Sequence, residues 1–241
     1  MDFTNAALPV HYGLTLTPTF HSQIPPNLNP SLVTLPHPFT VVITGAGKGL
    51  GYNIALAYAR ARCTGLAISS RTESDLDLLE AAINAIAVET GRRIEVLKVV
   101  ADVRSDDDVV RLEAQVRAGW GRVDVVIANA GVMSSYISPS PSQSPSSSSS
   151  LSNLPQGLVQ DADWPRVLDT NLNGVWRVTR AFLPLLEETK DGAQTVIASC
   201  SMAAHSVVSE LTPVAYNLGK MGVMRLMECV ANDHGKSGVQ A

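Results

Sequence analysis

The stretch FTVVITGAGKGLGYNIALAYARAR, Phe39 to Arg62, decides the fold. It opens on an apolar run typical of a buried strand, continues through a turn with four glycines, and ends in an alanine-rich segment typical of a helix. In this order the backbone N–H groups at the start of the helix can receive a phosphate group. Two classes of site begin this way, one for nucleoside triphosphates and one for dinucleotides.

The glycine turn does not fit the triphosphate pattern, which is Gly, four residues, then Gly-Lys-Ser/Thr. With Lys48 as the lysine, Val42 occupies the place of the first glycine and Gly49 that of the magnesium-binding Ser/Thr. The dinucleotide pattern GxGxxG also fails, because Leu50 stands at its third glycine. The pattern that fits is TGxxxGxG, with its fixed positions at Thr44, Gly45, Gly49 and Gly51.

The rest of the chain alternates strand patterns with helix patterns. Strands are predicted at 39–44, 65–70, 94–103, 123–131 and 193–199, and helices at 52–62, 72–89, 105–120, 164–188 and 212–233. Strands that alternate with helices at this spacing pair in parallel through right-handed crossovers. The sequence therefore predicts an α/β fold, a Rossmann-like doubly wound parallel sheet with helices on both faces.

Two segments depart from this alternation. Residues 1–38 contain seven prolines without a sustained period, so we expect an extended Pro-rich arm beside one domain, residues 39–241. Residues 134–157 form a Ser/Pro-rich insertion that is too polar to pack and is expected to be disordered. It follows the fourth strand, where ligands bind in such sheets, and is either a flap over the substrate or an inert loop, which its composition favours.

Composition restricts the partners and the compartment. The net charge of −4 without a basic block argues against a nucleic acid or an anionic membrane as partner. No apolar run approaches the ~18 residues of a membrane span, and the N-terminus lacks the pattern of a secretory signal. Three widely spaced cysteines indicate reduced thiols, and the five histidines show no metal-ligand spacing. We therefore expect a cytoplasmic protein without a metal site.

Further motifs follow the glycine turn in a fixed order, and together they resemble the short-chain dehydrogenase/reductase family. They are Asp102 after the third strand, Asn129, Ala130 and Gly131 after the fourth, Asn171 in the long helix, Ser201 after the fifth strand, and Tyr216 and Lys220 in YNLGK. The resemblance spans residues 39–241. It implies an oxidoreductase that transfers a hydride between a nicotinamide dinucleotide and a small-molecule carbonyl or secondary alcohol.

The expected catalytic residues are Asn171, Ser201, Tyr216 and Lys220. Tyr216 and Lys220 stand four residues apart, so they share one face of a helix. A phenol with a pKa near ~10 is a poor base at neutral pH, but a nearby ammonium lowers that pKa. Tyr216 can then exchange a proton with the substrate oxygen. The resemblance gives Ser201 the role of polarising that oxygen, with Ser199 as the competing candidate. It gives Asn171 a proton relay through water, with Asn173 less favoured.

The end of the second strand bears on the cofactor. An acid there would bind the ribose hydroxyls of NAD, but this strand ends in Ser70 and Arg71 with no acid before Glu73. Arg71 can meet a 2′-phosphate with two parallel donors, and Lys48 adds a second positive charge. We therefore expect NADP(H), with NAD less favoured. The expected cofactor-binding residues are Thr44, Gly45, Lys48, Gly49, Leu50, Gly51, Ser70, Arg71, Asp102, Val103, Asn129, Ala130, Gly131, Tyr216 and Lys220.

Three remaining expectations concern the last part of the chain. Cys200 has no base assigned to it and is expected to be a packed thiol, and His205 an exposed loop residue. Chains of the family continue into further strands and a substrate-covering segment, whereas this sequence ends at 238–241, where a sixth strand is due. We therefore expect the last strands to be missing and a homo-oligomer to be weakened. The alternative function is an inactive product that at most binds nucleotide.

Overall fold

A computed structural model describes residues 25–133, 163–205 and 212–241. The first part of the expected arm (1–24), the Ser/Pro-rich insertion (134–157) and the loop at 206–211 lie outside the described residues. The described strands form one sheet, and every pair of neighbours is parallel, in the order β3-β2-β1-β4-β5. The strands are β1 Thr40–Thr44, β2 Gly65–Ser70, β3 Glu95–Val100, β4 Val125–Ala128 and β5 Thr195–Ala198. The predicted doubly wound parallel sheet is confirmed.

Six described α-helices surround this sheet. They are α1 Gly49–Arg60, α2 Glu73–Thr90, α3 Asp106–Trp120, α4 Trp164–Leu168, α5 Gly174–Glu188 and α6 Val214–His234. A π-helical turn, Asp169–Asn173, joins α4 to α5, so the single helix predicted at 164–188 is interrupted. Short 3₁₀ helices occur at Pro26–Leu28, Pro30–Leu32, Met202–His205 and Gly235–Ser237.

The helices cover both faces of the sheet because successive strand residues point to opposite sides. On β1, Val42 packs into one core with residues of α3, α5 and α6. Its neighbours Val41 and Ile43 pack into a second core with residues of α1 and α2. The central strands β1, β2 and β4 are therefore buried on both faces, as expected for a parallel sheet, whereas the edge strands β3 and β5 are partly exposed.

Local signals explain where several elements begin and end. The Ser105 side chain accepts a hydrogen bond from the Asp108 N–H (3.2 Å), which makes Ser105 the N-cap of α3 as its residue type predicts. The third strand is shorter than predicted, since it ends at Val100 and the chain then leaves the sheet. Asp102 lies in the turn that follows, where its N–H donates a hydrogen bond to the Asp108 carboxylate (2.9 Å).

Two described segments lie at the margins of the sheet. Gln240 forms a parallel bridge with Thr195, with its N–H donating to Gln194 O (2.9 Å) and its carbonyl accepting from Val196 N–H (2.8 Å). The chain end thus lies along the outer edge of β5. In the Pro-rich segment, Leu35 donates its N–H to Ala61 O (3.1 Å) and packs against the core under α1.

We expect Asp124→Ala to lower the free energy of unfolding by about 3 kcal/mol, because it breaks a buried ion pair. Asp124 is 1% exposed and accepts hydrogen bonds from the Thr40 N–H (2.8 Å) and the Arg122 guanidinium (2.9 Å). The control is Asp191→Ala, because Asp191 also binds Arg122 but is 75% exposed. Urea denaturation should show a loss below about 1 kcal/mol for that control. Equal losses of stability in Asp124→Ala and Asp191→Ala would contradict the stabilising role of the buried Asp124–Arg122 pair.

Candidate active site

A cleft of about 520 Å³ opens at the carboxyl ends of the strands. Loops after all five strands contribute to its wall, together with the start of α6. Ligands bind at this edge in open α/β sheets. From the strand ends and loops come Gly45, Gly47, Lys48, Ser70, Arg71, Thr72, Ala101, Asp102, Val103, Asn129, Ala130, Gly131, Val132, Met133, Ser199 and Cys200, and from the helices Leu50, Asp75, Thr170, Tyr216 and Lys220.

The glycine loop packs so closely against its neighbours that side chains at Gly45 and Gly51 would collide with backbone. Gly45 has φ +64°, and a Cβ built on it would lie 2.7 Å from Ala130 Cα. A Cβ on Gly51 would lie 2.4 Å from Gly45 O. The loop leads into α1 at Gly49, and its N-cap residue, Lys48, makes no side-chain cap hydrogen bond. These features fit a dinucleotide, because they let the backbone and the helix N-terminus approach a pyrophosphate.

We expect Gly51→Ala to weaken dinucleotide binding at least ~10-fold and to destabilise the fold by about 1–3 kcal/mol. The new methyl group would collide with Gly45 O and with Asn129 Nδ2, which are backbone and a hydrogen-bonded amide. Gly119→Ala is the matched control, because Gly119 is also helical and nothing lies within 4 Å of its added Cβ. Calorimetric titration and thermal unfolding of both variants test this. Equal dinucleotide affinity and equal Tm in Gly51→Ala and Gly119→Ala would contradict the requirement for glycine at 51.

Asn129 ties the glycine loop to two strands. Its Nδ2 donates to Thr44 O (3.1 Å) and Gly45 O (3.2 Å), and its Oδ1 accepts from the Ser199 hydroxyl (2.9 Å). Thr44 is fully buried beneath the cleft, and its hydroxyl accepts from the N–H groups of Asn129 (3.1 Å) and Ala130 (3.3 Å). The structure therefore places Thr44 and Asn129 where they shape the loop, with Thr44 below the cleft wall.

Charged side chains gather at the β1–β3 end of the cleft. Lys48 pairs with Asp75 (3.0 Å), and Arg71 is exposed and forms no ion pair with a described residue. Asp102 is held by Arg104, whose guanidinium lies 2.6 Å from Oδ2. Hydrogen bonds from Arg104, helped by the charge of Arg71, lower the pKa of Asp102 below its usual range. Asp102 is therefore a carboxylate acceptor on the cleft wall.

Two lining residues at this end have no place in the motifs, Gly47 and Asp75. A Cβ on Gly47 would lie 2.8 Å from Asp75 Cβ and 3.0 Å from Ser70 Oγ. Glycine is therefore required at 47 because α2 packs directly against the loop. The sequence signal for Asp75 is its place in the acidic first turn of α2, which also serves helix stability.

Tyr216 and Lys220 lie together at the opposite end of the cleft. Lys220 is 4% exposed, and its Nζ lies 5.7 Å from the Tyr216 ring centre. The ammonium donates to Ser199 O (2.7 Å). Burial lowers the pKa of Lys220. The structure thus brings together the two residues that the helical spacing placed on one face.

The hydroxyls of the two candidate serines have different partners. The Ser199 hydroxyl donates to Asn129 Oδ1, and its carbonyl receives the Lys220 ammonium. The Ser201 oxygen accepts from Ala203 N–H (3.1 Å), which leaves the Ser201 proton able to bond a substrate oxygen. Ser199 lines the cleft, whereas Ser201 is half-buried beside the lining residue Cys200. The choice of Ser201 over Ser199 as the substrate-binding hydroxyl stays a prediction.

Asn171 is fully buried in the π-helical turn. Its amide donates to Val132 O (2.7 Å) and accepts from Val132 N–H (2.8 Å), so it fixes the loop after β4. A Cβ on Gly131 would lie 3.2 Å from Asn171 Oδ1 and 3.7 Å from Lys220 Nζ. Asn173 instead bonds Asp169 (3.2 Å) at the exposed surface. The structure therefore brings Asn171, and not Asn173, towards the cleft.

The expectation of a packed Cys200 is wrong. β5 ends at Ala198, so Cys200 lies beyond the sheet, exposed in the cleft wall, with Sγ 3.4 Å from Lys220 O. Cys63 is the buried thiol, and burial raises its pKa to about 12. His205 is exposed, as expected. Within the described ranges no cluster of three His, Cys, Asp or Glu residues could hold a metal ion, and no helix is long and apolar enough to span a membrane.

The parallel sheet, the glycine loop and the Tyr216–Lys220 pair define a dinucleotide-binding oxidoreductase fold. The chain belongs to the short-chain dehydrogenase family, whose model matches residues 39–241.

Relatives and a solved structure resemble the chain over most of its length. The short chain dehydrogenase pgmD of Aspergillus terreus is 28% identical over 99% of this chain and 72% of its own length. The short chain dehydrogenase mpl6 of Monascus purpureus is 30% identical over 98% of this chain and 73% of its own. The alcohol dehydrogenase of the archaeon Thermococcus sibiricus, solved with 5-hydroxy-NADP, has a TM-score of 0.63 at 26% identity, covering 82% of this chain and 72% of that chain.

Proposed function

We propose that the protein is an NADP-dependent oxidoreductase that interconverts a carbonyl and a secondary alcohol, with Tyr216 as proton donor and acceptor. The observation that carries this is the buried Lys220 ammonium, 5.7 Å from the Tyr216 ring centre, in the same cleft as the glycine loop. Family membership supports the reaction class. Family membership also supports a small-molecule substrate.

The glycine loop and the strand ends would hold the dinucleotide. Its pyrophosphate would meet the N-terminus of α1 at Gly49–Gly51. Asp102 offers a carboxylate acceptor for the adenine amino group, and Lys220 a donor for a ribose hydroxyl. When bound, the nicotinamide supplies or accepts the hydride. Everything else in the reaction is proton transfer and orientation by this chain's side chains.

In the reducing direction Tyr216 gives its phenolic proton to the substrate oxygen, and the O–H bond of the tyrosine becomes the O–H bond of the alcohol. The phenolate left behind is stabilised by the positive charge of the nearby Lys220 ammonium. Solvent then returns the proton. In the oxidising direction the same phenolate removes the proton of the alcohol. Ser201 donates a hydrogen bond to the substrate oxygen and polarises it.

Asn171 connects two parts of this centre. Its side-chain bonds to Val132 join the π-helical turn to the loop after β4, and Gly131 of that loop lies near Lys220 Nζ. These contacts support Asn171 as a positioning residue.

The cofactor preference rests on Arg71 and Lys48. Both line the cleft beside Ser70, at the end of β2, where an acid would favour NAD. We expect Arg71→Ala to raise the Kd of NADPH about 10-fold or more and to leave that of NADH within about twofold, because one charge-assisted bidentate contact is lost. Fluorescence titration measures both. Arg92→Ala is the control, since Arg92 is exposed and outside the cleft lining. An unchanged NADPH affinity in Arg71→Ala would contradict NADP as the cofactor.

The function itself is tested by following NADPH oxidation with a panel of aldehydes and ketones. We expect turnover of at least one carbonyl by the full chain. Nucleotide binding without turnover of any member would support a nucleotide-binding product in place of an enzyme.

We also propose that the protein acts in the cytoplasm. Supporting this are its three cysteines, all free thiols, two of which, Cys200 and Cys229, are exposed.

A further inference from the structure

Asp75 brings a negative charge into the end of the cleft where the positive charges lie. It stands in the first turn of α2 and lines the cleft with Lys48 and Arg71. Its Oδ2 lies 3.0 Å from Lys48 Nζ. The Asp75 side chain is 22% exposed, whereas that of Lys48 is 79% exposed. The acid of this pair is therefore held by the protein, and the base stands mostly in solvent.

The backbone around Asp75 fixes its position. α2 is anchored by Leu76 and Leu79, which are fully buried in the core below α1. On the other side, Asp75 Cβ lies 2.8 Å from where a Gly47 Cβ would be, so the helix packs directly against the glycine loop. The Cβ atom of Asp75 cannot shift away from the loop unless α2 itself moves. Lys48, on a flexible four-carbon stem, is the partner that can move.

An anion that binds the Lys48 ammonium must therefore share it with the Asp75 carboxylate or break the Lys48–Asp75 ion pair. An exposed ion pair is worth only ~0–1 kcal/mol by itself, so it does not prevent such a contact. The fixed carboxylate remains beside the anion after the exchange, however, and like charges at close range oppose binding. A ligand without that anion leaves the Lys48–Asp75 pair undisturbed.

We propose that Asp75 is a specificity-determining residue that competes with the 2′-phosphate of NADP(H) for the Lys48 ammonium and so limits the preference for NADP(H) over NAD(H). The proposal rests on the proposed function, in which Lys48 and Arg71 meet that phosphate. NAD(H) carries a hydroxyl at the same position and makes no demand on Lys48. The competition therefore weakens only the phosphorylated cofactor.

Calorimetric titration with 2′,5′-ADP and 5′-AMP tests the proposal, since these probes contain the adenosine end and differ only in the 2′-phosphate. We expect Asp75→Asn to lower the Kd of 2′,5′-ADP about 10-fold and to change that of 5′-AMP by less than about twofold. In a Lys48→Met background the same substitution should lower the Kd of 2′,5′-ADP by only about threefold, because the competition for the ammonium is gone and only the repulsion by the carboxylate remains. Asp75→Ser repeats the measurement with a second residue suited to a helix start.

Asp77→Asn is the matched control, because it removes the same charge from the same helix but its partner is Lys98, outside the cleft lining. An unchanged or raised Kd of 2′,5′-ADP in Asp75→Asn would overturn the proposal, and so would an equal gain in the Lys48→Met background. Failure of the NADP assignment is a different result, namely wild-type protein that binds both probes equally. Even with that result, the effect of Asp75 can be measured, because it is the change in Kd between wild type and Asp75→Asn.

Discussion

Replacing Tyr216 by phenylalanine is expected to lower kcat about 10³-fold while NADPH still binds, because the variant keeps the ring and loses the proton that is transferred. The Tyr216 ring lies in the cleft wall beside the Lys220 ammonium, and phenylalanine fills the same space. Steady-state kinetics with a carbonyl that the wild type reduces gives kcat, and fluorescence titration gives the Kd of NADPH. A Kd within about threefold of wild type would show that the site is intact.

Tyr52→Phe is the matched control for that substitution. Tyr52 lies on α1 and packs at the edge of the core below it, outside the cleft lining. Loss of the Tyr52 hydroxyl should leave kcat within about twofold of the wild-type value. Residual activity of Tyr216→Phe above about a tenth of wild type would contradict the role of Tyr216, because a general acid contributes more than that.

Lys220→Met has the second large expected effect, a loss of about 10²-fold in kcat at neutral pH. Without the ammonium, the phenolate that forms during the reaction loses the positive charge beside it, and methionine cannot replace that charge. Steady-state kinetics measures the loss. A kcat within about threefold of wild type would contradict the electrostatic role of Lys220.

The fold should tolerate this substitution, which separates catalysis from stability. Burial lowers the pKa of Lys220 below its ordinary value of 10.5, so Lys220 binds its proton less strongly in the folded state than in the unfolded state. Holding the charged ammonium in the folded protein therefore costs free energy at neutral pH. Methionine removes that cost and fills a similar volume, at the loss of one hydrogen bond to Ser199 O. We expect a Tm within a few degrees of wild type. Lys236→Met, at an exposed site near the end of α6, controls for the loss of a lysine elsewhere.

The sheet could be predicted from the sequence because its signals are local. Apolar runs, glycine turns and capped helices alternate along the chain, and such an alternation leads to parallel pairing through right-handed crossovers. The pair Tyr216 and Lys220 was also predictable, since four residues of helix place both on one face. The π-helical turn at Asp169–Asn173 was not, because nothing in its residue types distinguishes it from the α-helix on either side.

Contacts between distant segments account for what sequence reasoning missed. Asp75 is close to Lys48 only because α2 packs against the glycine loop, and the reason for glycine at 47 is the same contact. Arg104 belongs to none of the sequence motifs, yet its guanidinium binds the carboxylate of Asp102. Cys200 was misjudged because β5 ends two residues earlier than a packed thiol would need. Each depends on tertiary distances that spacing along the chain does not contain.

Transfer of deuterium from NADPH labelled at C4 of the nicotinamide to a carbonyl substrate tests hydride transfer most directly. The full chain is incubated with the labelled cofactor and a panel of aldehydes and ketones, and the products are analysed by mass spectrometry. We expect an alcohol with one deuterium on the former carbonyl carbon, and no such product with Tyr216→Phe in the same time. Protein that binds NADPH but yields no deuterated alcohol from any carbonyl would contradict the proposed oxidoreductase.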